Sequence, residues 1–147
     1  MASSRIEVRG LSKSFARRGE ARLDVLQCVD LQVEPGEFVC LLGPSGCGKS
    51  TFLSIVGGFE PADAGSVTID GAQVTGPDPR RMFVFQEYGI FPWLSVEENL
   101  GFGLRSLAPE ERARRVAHWV QAVGLAGFEK TLPGELSGGM RQRVALA

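Results

Sequence analysis

The chain has 147 residues, a length typical of one domain with a single hydrophobic core. Hydrophobic residues make up 44% and charged residues 22%, the balance of a globular protein rather than a disordered or fibrous one. The net charge is −1, with cationic and anionic side chains intermixed, which argues against a nucleic-acid partner. No apolar run approaches the ~18 residues of a membrane span, so we expect a cytosolic or membrane-peripheral protein.

Four segments of the chain have the hydrophobic pattern of β-strands. Apolar residues alternate over 6–8 and again over 23–33, which predicts two antiparallel edge strands. Residues 38–42 are an unbroken apolar run, which predicts a central strand buried on both faces of a parallel sheet. Residues 82–85 are a second run of this kind and predict a second buried strand.

Between the two apolar runs, the sequence predicts a helix and a hairpin. Residues 50–56 have the apolar spacing of a short helix, and Gly57-Gly58 follows as its stop. Asp70-Gly71 lies between two short alternating segments and readily supplies the positive φ angles of a primed turn. The succession of strand, glycine-rich loop and helix indicates the α/β class.

The second half of the chain predicts mainly helices. Ser95 and Glu98 form a capping box, which predicts a helix start directly after the serine. Residues 109–124 have the strongest helical pattern of the chain and begin with a proline suited to the first helical position. Ser137 is a candidate N-cap for a further helix over residues 140–147.

Residues 43–50, Gly-Pro-Ser-Gly-Cys-Gly-Lys-Ser, match the phosphate-binding pattern GxxxxGK(S/T) between a predicted buried strand and a predicted helix. Backbone N–H groups of such a loop bind phosphate oxygens, and its glycines allow a tight curl. Lys49 can reach the β- and γ-phosphates as a catalytic residue, and the Ser50 hydroxyl is an oxygen ligand suited to Mg²⁺. The sequence therefore predicts binding of ATP with Mg²⁺. The residues predicted to bind the nucleotide here are Gly43, Pro44, Ser45, Gly46, Cys47, Gly48, Lys49, Ser50 and Thr51.

Ser137, Gly138 and Gly139 form a second candidate anion-binding segment, because two glycines leave amides open at a helix N-terminus. Taken alone, an ordinary capped helix start explains this segment equally well. Together with residues 43–50, the segment resembles the signature of the ABC transporter ATPases.

Two further positions fit that family. Phe15 resembles the aromatic residue that stacks on adenine, although a core position would explain it equally well. Gln86 resembles the glutamine that ends the second buried strand, although a strand-end surface residue is an equal alternative. The resemblance implies that Gln86 is a catalytic residue that senses Mg²⁺, as one of its ligands, and the attacking water.

The resemblance covers essentially the whole chain and implies one ATP-binding domain over residues 1–147. It implies an α/β fold with the core sheet of P-loop NTPases, an antiparallel β subdomain, and a helical subdomain at approximately residues 88–140. It also implies a head-to-tail homodimer, in which residues 137–139 meet the ATP held by the partner's phosphate loop.

The expected function is that of an ATP-binding subunit, which couples ATP binding and hydrolysis to the import of a small solute. Its partners would be transmembrane permease subunits and, indirectly, a solute-binding protein, at the cytoplasmic face of the inner membrane. The stretch from Phe85 to Leu94, with residues 140–143, looks most like importers of nitrate, sulfonates or taurine. In such importers the loop with residues 91–94 would dock a helix of the membrane subunit.

The sequence departs from the family after the signature helix. The apolar strand that ends in an Asp-Glu pair and the later switch histidine are both missing, so the domain is expected to be C-terminally incomplete. Without those carboxylates we expect weak nucleotide binding and little hydrolysis. Part of the parallel sheet is missing as well, which leaves backbone groups and apolar faces unpaired, so we also expect low solubility or a broad melting transition. Two alternatives stay open: a naturally short, non-hydrolysing nucleotide-binding or regulatory module, and an ABC ATPase outside transport.

Overall fold

The structure is a computed structural model that describes residues 4–16, 19, 21–85 and 89–147. The chain divides into two compact units, with the boundary between Met82 and Phe83. We call the unit up to Met82 the sheet unit, and the unit from Phe83 onward the helical unit.

The sheet unit contains a four-stranded antiparallel sheet with the strand order β2-β1-β3-β4. The strands are β1 (Ile6–Phe15), β2 (Leu23–Val33), β3 (Ala64–Ile69) and β4 (Ala72–Gln73). The antiparallel pair predicted at the start of the chain is confirmed. Only β2 is the predicted edge strand, because β1 lies between β2 and β3.

The turn between β3 and β4 has the predicted primed geometry. Asp70 and Gly71 have φ angles of 51° and 78°, so both adopt the left-handed conformation that this turn requires. The Asp70 Oδ1 atom also accepts a hydrogen bond of 2.8 Å from the Arg5 backbone N–H. The hairpin is therefore tied to the residue that precedes β1.

Helix α1 (Lys49–Gly57) contributes to the same core as the sheet. Phe52 and Ile55 are 6% and 4% exposed and belong to one hydrophobic cluster with Val8 and Leu11 of β1. The predicted stop is confirmed, since Gly58 caps the helix in a left-handed conformation with a φ of 82°.

The two buried parallel strands predicted at residues 38–42 and 82–85 are wrong for this structure. Both segments are irregular, and Phe38, Leu42 and Met82 are 92%, 88% and 87% exposed. A strand buried on both faces needs a hydrogen-bonded neighbour and covering helices. Within the described part of the chain all strand pairs are antiparallel and involve other residues, so neither run belongs to the described sheet.

The helical unit has its own core. Its helices are α2 (Val96–Leu100), α3 (Pro109–Ala122) and α4 (Gly138–Leu146), with 3₁₀ turns at Phe102–Leu104 and Pro133–Glu135. The most deeply buried side chains of this core are Val96, Val120, Leu125, Leu136 and Val144. Among the described helices, none has both the length and the apolar character needed to cross a membrane.

The predicted capping box starts α2. The Ser95 hydroxyl accepts a hydrogen bond of 3.4 Å from the Glu98 N–H, and the Glu98 carboxylate accepts one of 2.8 Å from the Ser95 N–H. Two of the backbone donors at this helix end are therefore satisfied reciprocally. Helix α3 begins at Pro109 as predicted, and Gly124, with a φ of 65°, follows its last turn.

Candidate nucleotide site

The glycine-rich loop curls tightly before helix α1. Gly46 and Gly48 have φ angles of 82° and 95°, a region that side chains rarely occupy. Gly43 and Cys47 lie close together in this curl: a Cβ atom on Gly43 would be only 2.7 Å from the Cys47 Sγ atom. The backbone therefore has the concave shape predicted for residues 43–50.

Gly48 also anchors the loop on the sheet. A Cβ atom at this position would lie 2.9 Å from the Val25 carbonyl oxygen and 3.0 Å from the Leu26 side chain, both in β2. No side chain fits there without a shift of the strand backbone. The strand β2 consequently fixes the point at which the loop enters α1.

Lys49, the first residue of α1, holds its ammonium group over the loop. The Nζ atom donates hydrogen bonds to the carbonyl oxygens of Gly43 (2.9 Å) and Pro44 (2.7 Å). The first-turn N–H groups of a helix lack intrahelical acceptors, and the first turn of α1 has no acidic side chain. A positive side chain and a helix N-terminus thus meet at one concave backbone segment, an arrangement suited to a multiply charged anion.

The residues predicted to hold a metal are only partly described. Ser50 is exposed in the first turn of α1, where its hydroxyl can supply a hard oxygen ligand. Gln86 lies outside the described residues. The described residues also contain no cluster of three His, Cys, Asp or Glu side chains that could hold an ion. The Ser50 hydroxyl as a single described ligand is compatible with Mg²⁺, because this ion usually takes one or two protein ligands and completes its coordination shell with phosphates and water.

Phe15, the predicted adenine-stacking residue, is the last residue of β1 and is 38% exposed. It pairs with Leu23 in β2, two residues before the Val25 that contacts Gly48. The aromatic ring and the loop therefore belong to the same end of the β1-β2 pair.

Ser137, Gly138 and Gly139 start helix α4 in the helical unit. The Ser137 side chain accepts a hydrogen bond of 3.3 Å from the Met140 N–H, so the predicted N-cap is confirmed. A Cβ atom on Gly139 would meet nothing within 4 Å, which leaves the backbone of this first turn open to approach.

Sequence reasoning did not single out Lys13, which lies two residues before Phe15. Its side chain is buried, with 7% exposure, and its ammonium group lies 5.2 Å from the centre of the Phe15 ring. Lysine side chains usually face solvent, so no local signal in the sequence points to this burial.

The family follows from a comparison with known proteins. A family model described as ABC transporter matches residues 26–147, most of the chain. The chain belongs to the ABC transporter family. The predicted resemblance to the ABC transporter ATPases is thereby confirmed.

Curated relatives of this ABC protein include several import subunits. An aliphatic sulfonates import ATP-binding protein of Bacillus cereus is 45% identical over 142 residues, which cover 97% of this chain and 56% of the relative. A bicarbonate transport ATP-binding protein of Synechococcus elongatus is 44% identical, with 97% of this chain and 22% of the relative covered. A nitrate import ATP-binding protein of Synechocystis is 41% identical, with 97% and 54% covered. The chain thus spans little more than half of these relatives at most.

Solved ABC structures have the same fold. A dimeric ATP-binding cassette in a post-hydrolysis state, bound to ADP and Pi, matches with a TM-score of 0.81 and 33% identity over 96% of this chain and 67% of that chain. A dimeric bacterial ABC transporter cassette matches with a TM-score of 0.82 and 33% identity, covering 95% of this chain and 66% of that one. These matches confirm the predicted α/β fold of ABC ATPases, although the parallel strands at 38–42 and 82–85 are not formed here.

Proposed function

We propose that this ABC protein is the ATP-binding and ATP-hydrolysing subunit of an importer for a small solute. The observation that carries the proposal is the Lys49 ammonium group, which lies over a curled glycine loop at the N-terminus of α1. The names of its relatives, which refer to import of sulfonates, bicarbonate and nitrate, favour an importer over an ABC ATPase outside transport.

In the proposed mechanism, the loop amides and the Lys49 ammonium bind the β- and γ-phosphates of ATP. The ammonium exchanges its two carbonyl partners for phosphate oxygens, which neutralises charge where the phosphoryl group transfers. Ser50 and Gln86 would hold Mg²⁺, which stabilises the negative charge of the phosphates when bound. Phe15 would stack on the adenine base, and Gln86 would orient the attacking water.

The proposed active unit is a homodimer in which Ser137, Gly138 and Gly139 contact the ATP bound by the partner subunit. The open first turn of α4 supports this role, because its N–H groups suit a phosphate. ATP binding would close the dimer, and hydrolysis would reopen it.

The proposed contact with the permease involves a group of aromatic side chains in the helical unit. The ring centres of Phe91 and Trp93 are 5.6 Å apart, and those of Phe91 and Phe102 are 4.2 Å apart. Trp93 is 70% exposed, an unusual exposure for a residue of this size. A permease helix that covers these rings would hold the protein at the cytoplasmic face of the inner membrane, with a solute-binding protein acting indirectly. The proposed cargo is nitrate, a sulfonate or taurine.

The proposal is tested by calorimetric titration with ATP and Mg²⁺. Lys49→Ala removes a charge-assisted contact and is expected to weaken ATP binding by ~1.5–3 kcal/mol, or roughly 10- to 150-fold. Lys130→Ala is the matched control, since Lys130 is an exposed lysine paired with Glu97 in the helical unit. Equal affinities for the wild type and Lys49→Ala would show that the loop does not hold the phosphates.

A further inference from the structure

Lys13 is a buried cation with three oxygen partners. Its Nζ atom lies 2.6 Å from a Glu60 carboxylate oxygen, 2.7 Å from the Pro61 carbonyl oxygen and 3.6 Å from an Asp63 carboxylate oxygen. The hydrogen bond to Glu60 raises the pKa of Lys13 above its ordinary value, so the side chain stays charged at neutral pH. This charge is therefore held at one place by the segment of residues 60–63.

Asp63 links the same segment to the end of β1. One of its carboxylate oxygens accepts hydrogen bonds from the Ser14 backbone N–H (2.9 Å) and the Ser14 hydroxyl (2.8 Å). Arg22 donates to that oxygen (3.2 Å) and to the Ser14 hydroxyl (3.0 Å). Both Lys13 and Ser14, the two residues before Phe15, are thus fixed by residues 60–63.

The Lys13 ammonium also contacts the aromatic ring directly. It lies 5.2 Å from the centre of the Phe15 ring, within the range of a cation–π interaction. The ring is still 38% exposed, so the contact orients Phe15 without covering it.

Residues 60–63 continue from the helix that begins at the phosphate loop. Helix α1 starts at Lys49, ends at Gly57 and contributes Phe52 to the core shared with β1. A Cβ atom on Gly58 would lie only 2.3 Å from the Gly76 carbonyl oxygen, so the chain after the helix is also tightly packed. A continuous packed segment therefore connects the loop at one end of α1 with Lys13 at the other.

We propose that Lys13 is a positioning residue of the nucleotide site: with Glu60 and Asp63, it holds the Phe15 ring in register with the phosphate loop. The Phe15 ring then binds the base and the phosphate loop binds the phosphates of the same nucleotide, and the same packed part of the sheet unit holds both groups in place. This inference rests on the proposed function, in which Phe15 stacks on adenine.

The test compares two ligands that differ in the base. Lys13→Met keeps an unbranched side chain of similar length but removes the ammonium. In calorimetric titrations of the full chain, it is expected to weaken ATP binding roughly three- to tenfold, part of the value of one base-stacking contact. Binding of inorganic tripolyphosphate, which has no base, is expected to be unchanged. Phe15→Ala should show the same selective loss, and the double variant should bind ATP no more weakly than Phe15→Ala.

The outcomes separate a positioning role from a structural one. Equal weakening of both ligands by Lys13→Met would overturn the inference, because a loss of folded protein affects both. Unchanged ATP binding in Lys13→Met, beside a selective loss in Phe15→Ala, would overturn the inference alone. Unchanged ATP binding in Phe15→Ala would remove the proposed base contact and the inference with it, while Lys49→Ala still tests the loop. If Lys13→Met does not fold, Asp63→Asn, which loosens Ser14 and Lys13 together, is decided by the same ligand comparison.

Discussion

Gly48→Ala is expected to disrupt the junction of the loop, helix α1 and strand β2. A side chain at the Gly48 φ of 95° costs ~1–2 kcal/mol because the left-handed conformation crowds the Cβ atom. The new methyl group would also lie 2.9 Å from the Val25 carbonyl oxygen, which is backbone and cannot rotate away. Such overpacking costs about 1–3 kcal/mol, so the total is ~2–5 kcal/mol.

Gly46→Ala is the matched control for this prediction. Gly46 has a similar φ of 82°, but a Cβ atom there would meet nothing within 4 Å. The control should therefore lose only the conformational ~1–2 kcal/mol. Urea unfolding, followed by far-UV circular dichroism, measures both variants against the wild type. Equal losses of stability in the two variants would refute the contact between Gly48 and β2.

Three further predictions concern stability. Ser95→Ala removes the cap of α2 and should lower the free energy of unfolding, measured in urea, by about 1 kcal/mol. Ser106 is exposed, so Ser106→Ala is the control and should leave that free energy unchanged. Equal losses in the two variants would contradict the capping box. Hydrogen bonds from Ser14, of which the one from the backbone N–H has the largest effect, lower the pKa of the Asp63 carboxyl below its ordinary 3.8. The ionised carboxylate therefore stabilises the folded protein above pH 3.8, and this stabilisation is lost as the pH falls through the lower pKa of the folded state. Because asparagine does not titrate, Asp63→Asn should lose less stability than the wild type as the pH is lowered below 3.8. The same dependence of the free energy of unfolding on pH in both proteins would contradict this role of Asp63. Exposed Phe38 and Leu42 predict a broad melt in near-UV circular dichroism, and a sharp cooperative transition would contradict this expectation.

The sequence predicted the features that depend on a few neighbouring residues. The primed turn at Asp70-Gly71 needs only two residues that tolerate positive φ, and the capping box needs only Ser95 and Glu98. The curl of residues 43–50 follows from glycines at the positions where the backbone turns. Each of these signals is complete within eight residues or fewer, so distant parts of the chain were not needed.

Features that depend on distant partners were not predicted. The apolar run at residues 38–42 indicates a buried strand only if neighbouring strands are present, and the described residues provide none for it. A register shift in β1 between Val8 and Leu11 changes which alternate residues are buried, so Lys13 is buried together with Leu11. A cation at such a position is stabilised by Glu60, which is distant in sequence, and periodicity alone cannot reveal this partner.

The two carbonyl contacts of the Lys49 ammonium have a consequence for ion selectivity. An incoming anion has to displace hydrogen bonds of 2.9 Å and 2.7 Å to Gly43 and Pro44 before it gains the full attraction of the cation. A monovalent ion such as chloride offers a single charge in return, whereas a polyphosphate offers several oxygens and several charges at once. The loop should therefore bind a polyphosphate in preference to chloride because of the difference in charge, and steric exclusion of chloride is not needed.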